Sequence, residues 1–541
     1  MAGFAEYALF SFKLLAITLL LVKAPWAWSD LFTPDHNRIY ALGYAVIFWM
    51  TIVCFGIIPF LGNGYIRTVL VTLIIPAYAI DQMFLDITGT HLELSMVRLV
   101  WLERRSGFEG LSWYVMYFAR NCLWIVGVAI IMALPPPSSW VLRLRWSGMP
   151  LSALATISII IPYTKGGTQY FPTPFSLPIM FAMTASTNLR TNTLAEVKYN
   201  GPIKPPAKHI VFIVDESVRG DVLEINEPLA HNTPFLVSHK DQLINFGVAV
   251  SGANCSFLSR TMLKFGFRPD HFQESDLGPG LTSLKRPIGP PIWKYARQAG
   301  YRTIMINGWA EEKTFISLEL PSIEYFSEID DPPYNRDGRI AERVLRLLKE
   351  DVPSFIYVNK FGAHFPYEAD FPPDYDKSRV SLQSEYIAAA DGSAGLLRAY
   401  NNALRWSVDG FFEKLFSRLD MQNVFIIYTS DHGQSLMEGG QKISHCSTKN
   451  TQVGEGLVPL IVSTGIQDLA GRLRISATHG YGQATHFEIF PTLLLAMGYD
   501  ERWVREQYGP SLLDIPANTH RQFIFTNSFD LFGAFRWLQV D

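Results

Sequence analysis

The chain is short of charge and of cysteine. Charged residues make up 18% of its 541 residues, and the net charge is −3. There is no basic excess to track a phosphate backbone, which leaves no electrostatic case for nucleic acid. The four cysteines show no CxxC or zinc-finger spacing, which argues against a structural cysteine–zinc site. Cys54 and Cys122 fall in apolar stretches. Cys255 and Cys446 lie in the polar part, and the sequence leaves open whether they form a disulfide. No internal repeat or low-complexity tract is evident.

What the chain has in plenty is apolar residues. They reach 48%, with a mean hydropathy of +0.12, and the excess lies in the first third. The length is too great for one core, so two or more domains are expected. Residues 1–163 read as an α-helical transmembrane domain of about five spans, with apolar runs near 8–28, 39–61, 67–85, 118–135 and 149–163. The second and third have the length to cross ~30 Å of hydrocarbon. Four more runs follow the first, so it does not read as a cleaved signal peptide. Lys13 and Lys23 bracket the first run in snorkelling positions. Arg67, Arg143 and Arg145 mark two cytoplasmic loops, while Arg98, Arg104 and Arg105 fall in a loop placed outside. An odd number of spans with a cytoplasmic N-terminus puts the large C-terminal part outside the cytoplasm.

Residues 86–117 set Trp101, Trp113, Tyr114 and Tyr117 among arginines. They read as an interfacial anchor, or as a surface on which His91 and Glu93 face a donor-lipid headgroup. Residues 164–207 are rich in Pro, Gly, Thr and Asn and end in Lys204-Pro205-Pro206. They read as a linker.

Residues 208–541 change texture to alternating strands and helices. Strands are expected at 209–214, 301–306, 354–358, 424–429 and 458–462. Helices are expected at 293–299, 339–349, 396–419 and 486–497. That alternation predicts an α/β/α sandwich with a mostly parallel sheet, whose ligands sit beyond the strand carboxyl ends.

Three strand ends carry chemistry: Asp215-Glu216-Ser217, Gly362-Ala363-His364 and Asp431-His432-Gly433. A loop adds Asn254-Cys255-Ser256-Phe257-Leu258-Ser259-Arg260, and His445 lies thirteen residues past His432. Each alone reads more readily as a turn or a structural histidine. Together on one sheet edge they read as a metal site. Glu216, Asp431 and His432 offer carboxylate and imidazole ligands. A hydroxyl of lowered pKa, at a helix N-terminus, supplies a nucleophile. Arg260, His364 and His445 supply groups for the phosphate oxygens.

These residues resemble those of the alkaline-phosphatase/sulfatase superfamily over 208–541. The whole chain resembles the membrane-bound phosphoethanolamine transferases of Gram-negative bacteria. The resemblance rests on Asp215-Glu216-Ser217-Val218-Arg219, Asn232-Thr233-Pro234, Gly362-Ala363-His364, Tyr400-Asn401-Asn402 and Ser430-Asp431-His432-Gly433-Gln434-Ser435-Leu436. It implies that Glu216, Asp431 and His432 hold Zn²⁺ and that His364 and His445 face phosphate. The family's nucleophile is a threonine, and here that loop has none. Ser256 precedes Arg260 by four, the spacing of the sulfatase Cys-x-Pro-x-Arg, and lies forty residues past Glu216. Ser256 is therefore the expected nucleophile and metal ligand. Cys255 is the alternative nucleophile, or a ligand through its thiolate. Asn254 is expected beside the phosphate. The family's soluble domains carry several disulfides, so core burial must supply more of the stability here.

The function so implied is transfer of phosphoethanolamine from a phospholipid donor, phosphatidylethanolamine, to lipopolysaccharide or another envelope glycan through a phospho-serine intermediate. The catalytic domain is expected in the periplasm, on a multi-pass protein of the bacterial inner membrane. Alternatives are a phosphoglycerol transferase or phospho/sulfo-hydrolase of the same superfamily. From another class comes a catalytically inactive lipid-binding sensor or partner-binding protein.

Overall fold

The computed structural model describes residues 2–22, 38–88, 92, 97, 115–142, 144–165, 173–186, 194–268, 289–309, 323–329, 332–375, 392–438, 445–447, 451–516, 520–525 and 536–540. The predicted site residues His91 and Glu93 lie outside them, as does Lys23.

The first third is helical. Helices α1 (Ala2–Val22), α2 (Arg38–Ile57), α3 (Gly64–Thr88), α4 (Val115–Ala133) and α5 (Leu144–Lys165) coincide with the five apolar runs. They bury a shared seam of Ala16, Leu20, Phe55, Ile75, Tyr78 and Val128. Their outer faces expose Phe12, Leu15, Trp49, Leu73, Ile130 and Ile160. An apolar exterior around a packed seam suits lipid as solvent. One helix among the described residues, Gly64–Phe84, is long and apolar enough to cross a membrane.

Two expectations change here. Lys13 does not snorkel: it is fully buried, and its ammonium donates to the carbonyls of Ile131 and Leu134 at the end of α4. Those carbonyls have no partner within the helix, so the lysine caps it. Arg67 likewise marks no loop. It is buried, and its Nε donates to Ala133 O at 2.9 Å. The stretch read as a linker also contains a helix, α6 (Thr173–Ser186), whose Leu177 and Met180 pack with Ala77 of α3. At ~1.5 Å per residue its 14 residues are too short to span. Its helical content escaped the reading because Pro174 and Pro178 look like breakers, yet the first sits in the opening turn.

The last part is the expected sandwich. Its strands are β1 (His209–Asp215), β2 (Ile244–Val250), β3 (Arg302–Asn307), β4 (Glu324–Ser327), β5 (Ser354–Asn359), β6 (Val424–Ser430) and β7 (Leu457–Thr464). They form one sheet in the order β2-β7-β6-β1-β5-β3-β4. Every pair is parallel except those made by β7, which runs against both β6 and β2. On β1, Ile210, Phe212 and Val214 enter one core while Val211 and Ile213 enter the other. That alternation, apolar on both faces, is the mark of a strand covered twice. The first core is closed by Trp293, Phe490 and Leu493 from helices beyond 291. The second is closed by Val344, Tyr400 and Phe411. The segment predicted as one helix over 396–419 is helical from Gly392 to Phe416, with a π-helical stretch at Leu404–Asp409.

Candidate functional site

Strands β1 and β6 are neighbours, with Asp215 opposite Ser430. The residues that follow each, Glu216 and Asp431, therefore leave the sheet side by side. A further bond from Asp431 N to Asp215 O at 2.9 Å extends the pairing one residue. Asp431 Oδ1 accepts from Ser217 N and from His432 N, which fixes the carboxylate. Its other oxygen, Oδ2, is buried and accepts no hydrogen bond among the described residues. His432 Nδ1–H donates to Gly433 O at 2.7 Å, leaving Nε2 with its lone pair facing the site. That nitrogen lies 3.5 Å from Glu216 Oε1 and 3.7 Å from Asp431 Oδ1. Gly433 is required sterically: any Cβ would collide with the carbonyls of Gly454 and Leu457.

Ser256 opens helix α7 (Ser256–Phe265), with Cys255 as its N-cap residue. Its Oγ lies 3.0 Å from His432 Nε2 and 3.4 Å from each oxygen of Glu216. A helix N-terminus also offers free N–H groups to an anion. Arg260, one turn on, pairs its Nη2 with Glu216 Oε2, and its Nε lies 3.1 Å from Asp431 Oδ2. Ser259 Oγ donates to Asp431 O. Helix α7 is thus bolted to the end of β6 by residues on one face.

His364 arrives through a tight approach. Gly362 has φ 75°, and a Cβ there would press on the backbone of Glu216. Ala363 N donates to Glu216 O at 3.0 Å, so the next side chain stands beside Glu216. His445 comes from the other side, stacked on His432 at 4.5 Å and edge-on to His364 at 5.5 Å.

Electrostatics follow from burial. Burial and the Asp431 charge push Glu216 well above the usual carboxylate range, against the pull of Arg260. Burial also opposes the Asp431 charge, but His432 and Arg260 outweigh it and hold that carboxyl low. Burial keeps His364 neutral, down to about 4, and lowers His432 and His445 too. Neutral imidazoles beside crowded carboxylates form a donor set of the kind that binds a divalent cation. Ligand atoms of Glu216, Asp431 and His432 all lie within 4.8 Å of one another, and so do those of Glu216, His364 and His445. Asp431 Oδ2, which accepts no hydrogen bond and is ion-paired with Arg260 Nε, and the oriented His432 Nε2 fit a divalent metal.

Two predicted roles need correction. Cys255 is joined to Cys446 in a disulfide, so it has no thiolate to attack or to bind metal. Asn254 is buried, and its amide donates to Ser447 O at 3.0 Å and Glu455 Oε2 at 2.8 Å. It organises loops and has no donor left for phosphate. Sequence reasoning missed Glu455 and gave His486 no role. Thr429 Oγ1 and Ser259 Oγ flank the ring of His486 at 3.1 and 3.2 Å, which links β6 to α7. His486 acts through Thr429 and Ser259, and Glu455 reaches Asn254, partners remote in sequence that no local pattern announces. Others in the resembling motifs prove to be supports. Tyr400 OH donates to Ser217 O, Asp409 accepts from Phe235 N and Leu236 N, and Asn232 donates to Asn401.

A seven-stranded sheet with two carboxylates, an imidazole and a hydroxyl converging at the ends of adjacent strands defines the class. The sulfatase family profile matches residues 208–499, more than half of the chain, and the chain belongs to that family. Among curated proteins it is similar to Kdo(2)-lipid A phosphoethanolamine 7''-transferase of Escherichia coli strain K12. The two are 22% identical over 263 residues, 47% of this chain and 44% of that one. The match thus spans less than half of that relative's length. Among solved structures it is similar to the integral membrane protein lipooligosaccharide phosphoethanolamine transferase A from Neisseria meningitidis. That match has a TM-score of 0.62 at 16% identity and covers 91% of this chain and 95% of the other. A zinc complex of the C-terminal periplasmic domain of EcEptC from Escherichia coli aligns at a TM-score of 0.49 and 16% identity, over 62% of this chain and 96% of the other.

Proposed function

We propose that the chain is a metal-dependent phosphoethanolamine transferase of the bacterial inner membrane. Its catalytic domain works in the periplasm, on a multi-pass helical anchor. The observation that carries the reading is Ser256 Oγ, 3.0 Å from His432 Nε2 at the N-terminus of α7, within the group formed with Glu216 and Asp431. The sulfatase-family sheet and the names of the two relatives support the chemical class.

Glu216, Asp431 and His432 would hold a Zn²⁺ ion, which when bound would lower the pKa of a nearby hydroxyl and offset developing phosphate charge. Ser256 Oγ attacks the phosphorus of phosphatidylethanolamine. The bond from phosphorus to the diacylglycerol oxygen breaks, and diacylglycerol leaves with a proton. Arg260 and the N–H groups of α7 face the nonbridging oxygens. Neutral His364 or His445 takes the proton from the incoming hydroxyl of a lipopolysaccharide or other envelope glycan. That oxygen attacks the phospho-serine, the bond from phosphorus to Ser256 Oγ breaks, and the imidazole's proton returns to Ser256 Oγ, directly or through solvent.

The expected result for the purified protein in phosphatidylethanolamine vesicles is metal-dependent release of diacylglycerol, stimulated by a glycolipid acceptor. Release stimulated by water alone, with no transfer, would favour a hydrolase. No bound metal and no release would favour a binding protein.

A further inference from the structure

Ser256 and His445 are each next in sequence to one half of the Cys255–Cys446 disulfide, across a separation of 191 residues. The cross-link does not stand alone. Cys446 N donates to Asn254 O at 2.8 Å. Glu455 is fully buried, and its carboxylate accepts from Asn254 Nδ2, from Ser447 N and from Ser447 Oγ. Gly433 N, just past His432, donates to Glu455 O at 2.9 Å. Cys446 itself has φ 59°, a conformation that a β-carbon disfavours and that its surroundings must hold. Three segments carrying Ser256, His445 and His432 thus meet at one small knot of covalent and buried polar bonds.

We infer that the Cys255–Cys446 disulfide and the Glu455 carboxylate form a clamp that sets Ser256 against His445, and that this clamp governs the rate of transfer. The inference rests on the transferase reading for its rate, and on the geometry alone for its structure. Cys255, Cys446 and Glu455 are positioning residues, and none touches the reacting atoms. Glu216, Asp431 and His432 are placed first by β1 and β6, and the one tie from Gly433 N to the knot goes to the main-chain carbonyl of Glu455, which neither reduction nor Glu455→Gln removes. Among the described residues, His445, Cys446 and Ser447 lie in no strand.

The test uses the full-length protein in detergent micelles, oxidised or reduced by a phosphine, with an alkylated aliquot to count free thiols. The amides of Cys446 and Ser447 report the clamp through hydrogen exchange. Reduction is expected to speed their exchange at least about tenfold while the amides of 424–430 stay protected. It is expected to lower kcat on phosphatidylethanolamine about tenfold to a hundredfold, with KM within about twofold and bound metal retained. Reoxidation restores both. Cys255→Ala/Cys446→Ala should behave as the reduced protein and ignore the phosphine. Glu455→Gln, with the disulfide intact, should fall between. Freed thiols with unchanged exchange and unchanged kcat would overturn the clamp. So would an effect confined to Tm, which marks a merely stabilising cross-link. If the oxidised protein neither turns over nor binds metal, the transferase reading fails, and the exchange of Cys446 and Ser447 still decides the clamp.

Discussion

The two halves of the site are built by different means. Glu216, Asp431 and His432 stand at the ends of adjacent parallel strands, and the sheet register fixes their spacing. Ser256 and His445 stand on a helix start and a short loop segment, and a disulfide with a buried carboxylate brings them in. The first half is secured by the main-chain bonds that secure the fold. The second is secured by a few side chains. A strand-built half should hold its geometry when the other loosens, and the reverse should not be true, because α7 is bolted onto β6 through Ser259, His486 and Arg260.

The largest effects come from removing one half outright. Asp431→Asn or His432→Ala should abolish metal binding, measured by elemental analysis, and lower turnover at least about a thousandfold. Ser256→Ala should lower turnover as far but leave the metal stoichiometry intact. If Ser256→Ala also lost the metal, the two halves would not be separable as described. Arg260→Ala should cost roughly a hundredfold in kcat, since it removes a cation facing the phosphate oxygens and both ligand carboxylates.

Smaller effects fall on stability. Asn254→Ala deletes two buried hydrogen bonds and leaves Glu455 short of a donor. A loss of about 1–3 kcal/mol is expected by thermal unfolding in detergent. Glu488, two residues past His486, gives a pH-dependent effect. Burial raises its carboxyl from 4.5 to about 7, although it accepts from Thr485 N and Oγ1. The folded chain then holds a proton that the unfolded chain has lost. Its stabilising contribution is complete below pH 4.5 and declines as pH rises through about 7. Glu488→Gln should flatten that decline, by on the order of 3 kcal/mol across the window. Unchanged pH dependence would show the proton is not held there.

The same contrast explains what the sequence made legible. Runs such as Phe425–Ser430 end abruptly in Asp431-His432, and a buried parallel strand announces both its own place and that of its ligands. Glu216, Asp431, His432 and Ser256 could be read together because strand ends share an edge and α7 starts beside it. Antiparallel β7 was not distinguishable from its parallel neighbours, because its apolar run has the same texture. The Cys255–Cys446 bond, the Glu455 hub and the diversion of Asn254 away from phosphate all depend on partners far along the chain. In the helical third, apolar runs located the helices, but Lys13 and Arg67 were read as surface charges. Both instead cap carbonyls inside the bundle.

In the proposed reaction Ser256, activated within the Glu216/Asp431/His432 group, carries the phosphoethanolamine. Mass spectrometry of the peptide covering residues 254–260, after the metal-loaded protein meets phosphatidylethanolamine without acceptor, tests it most directly. The expected result is a phosphoethanolamine adduct on Ser256 that disappears in Ser256→Ala and is discharged by adding acceptor glycolipid. An adduct on another residue, or turnover that persists in Ser256→Ala, would contradict it.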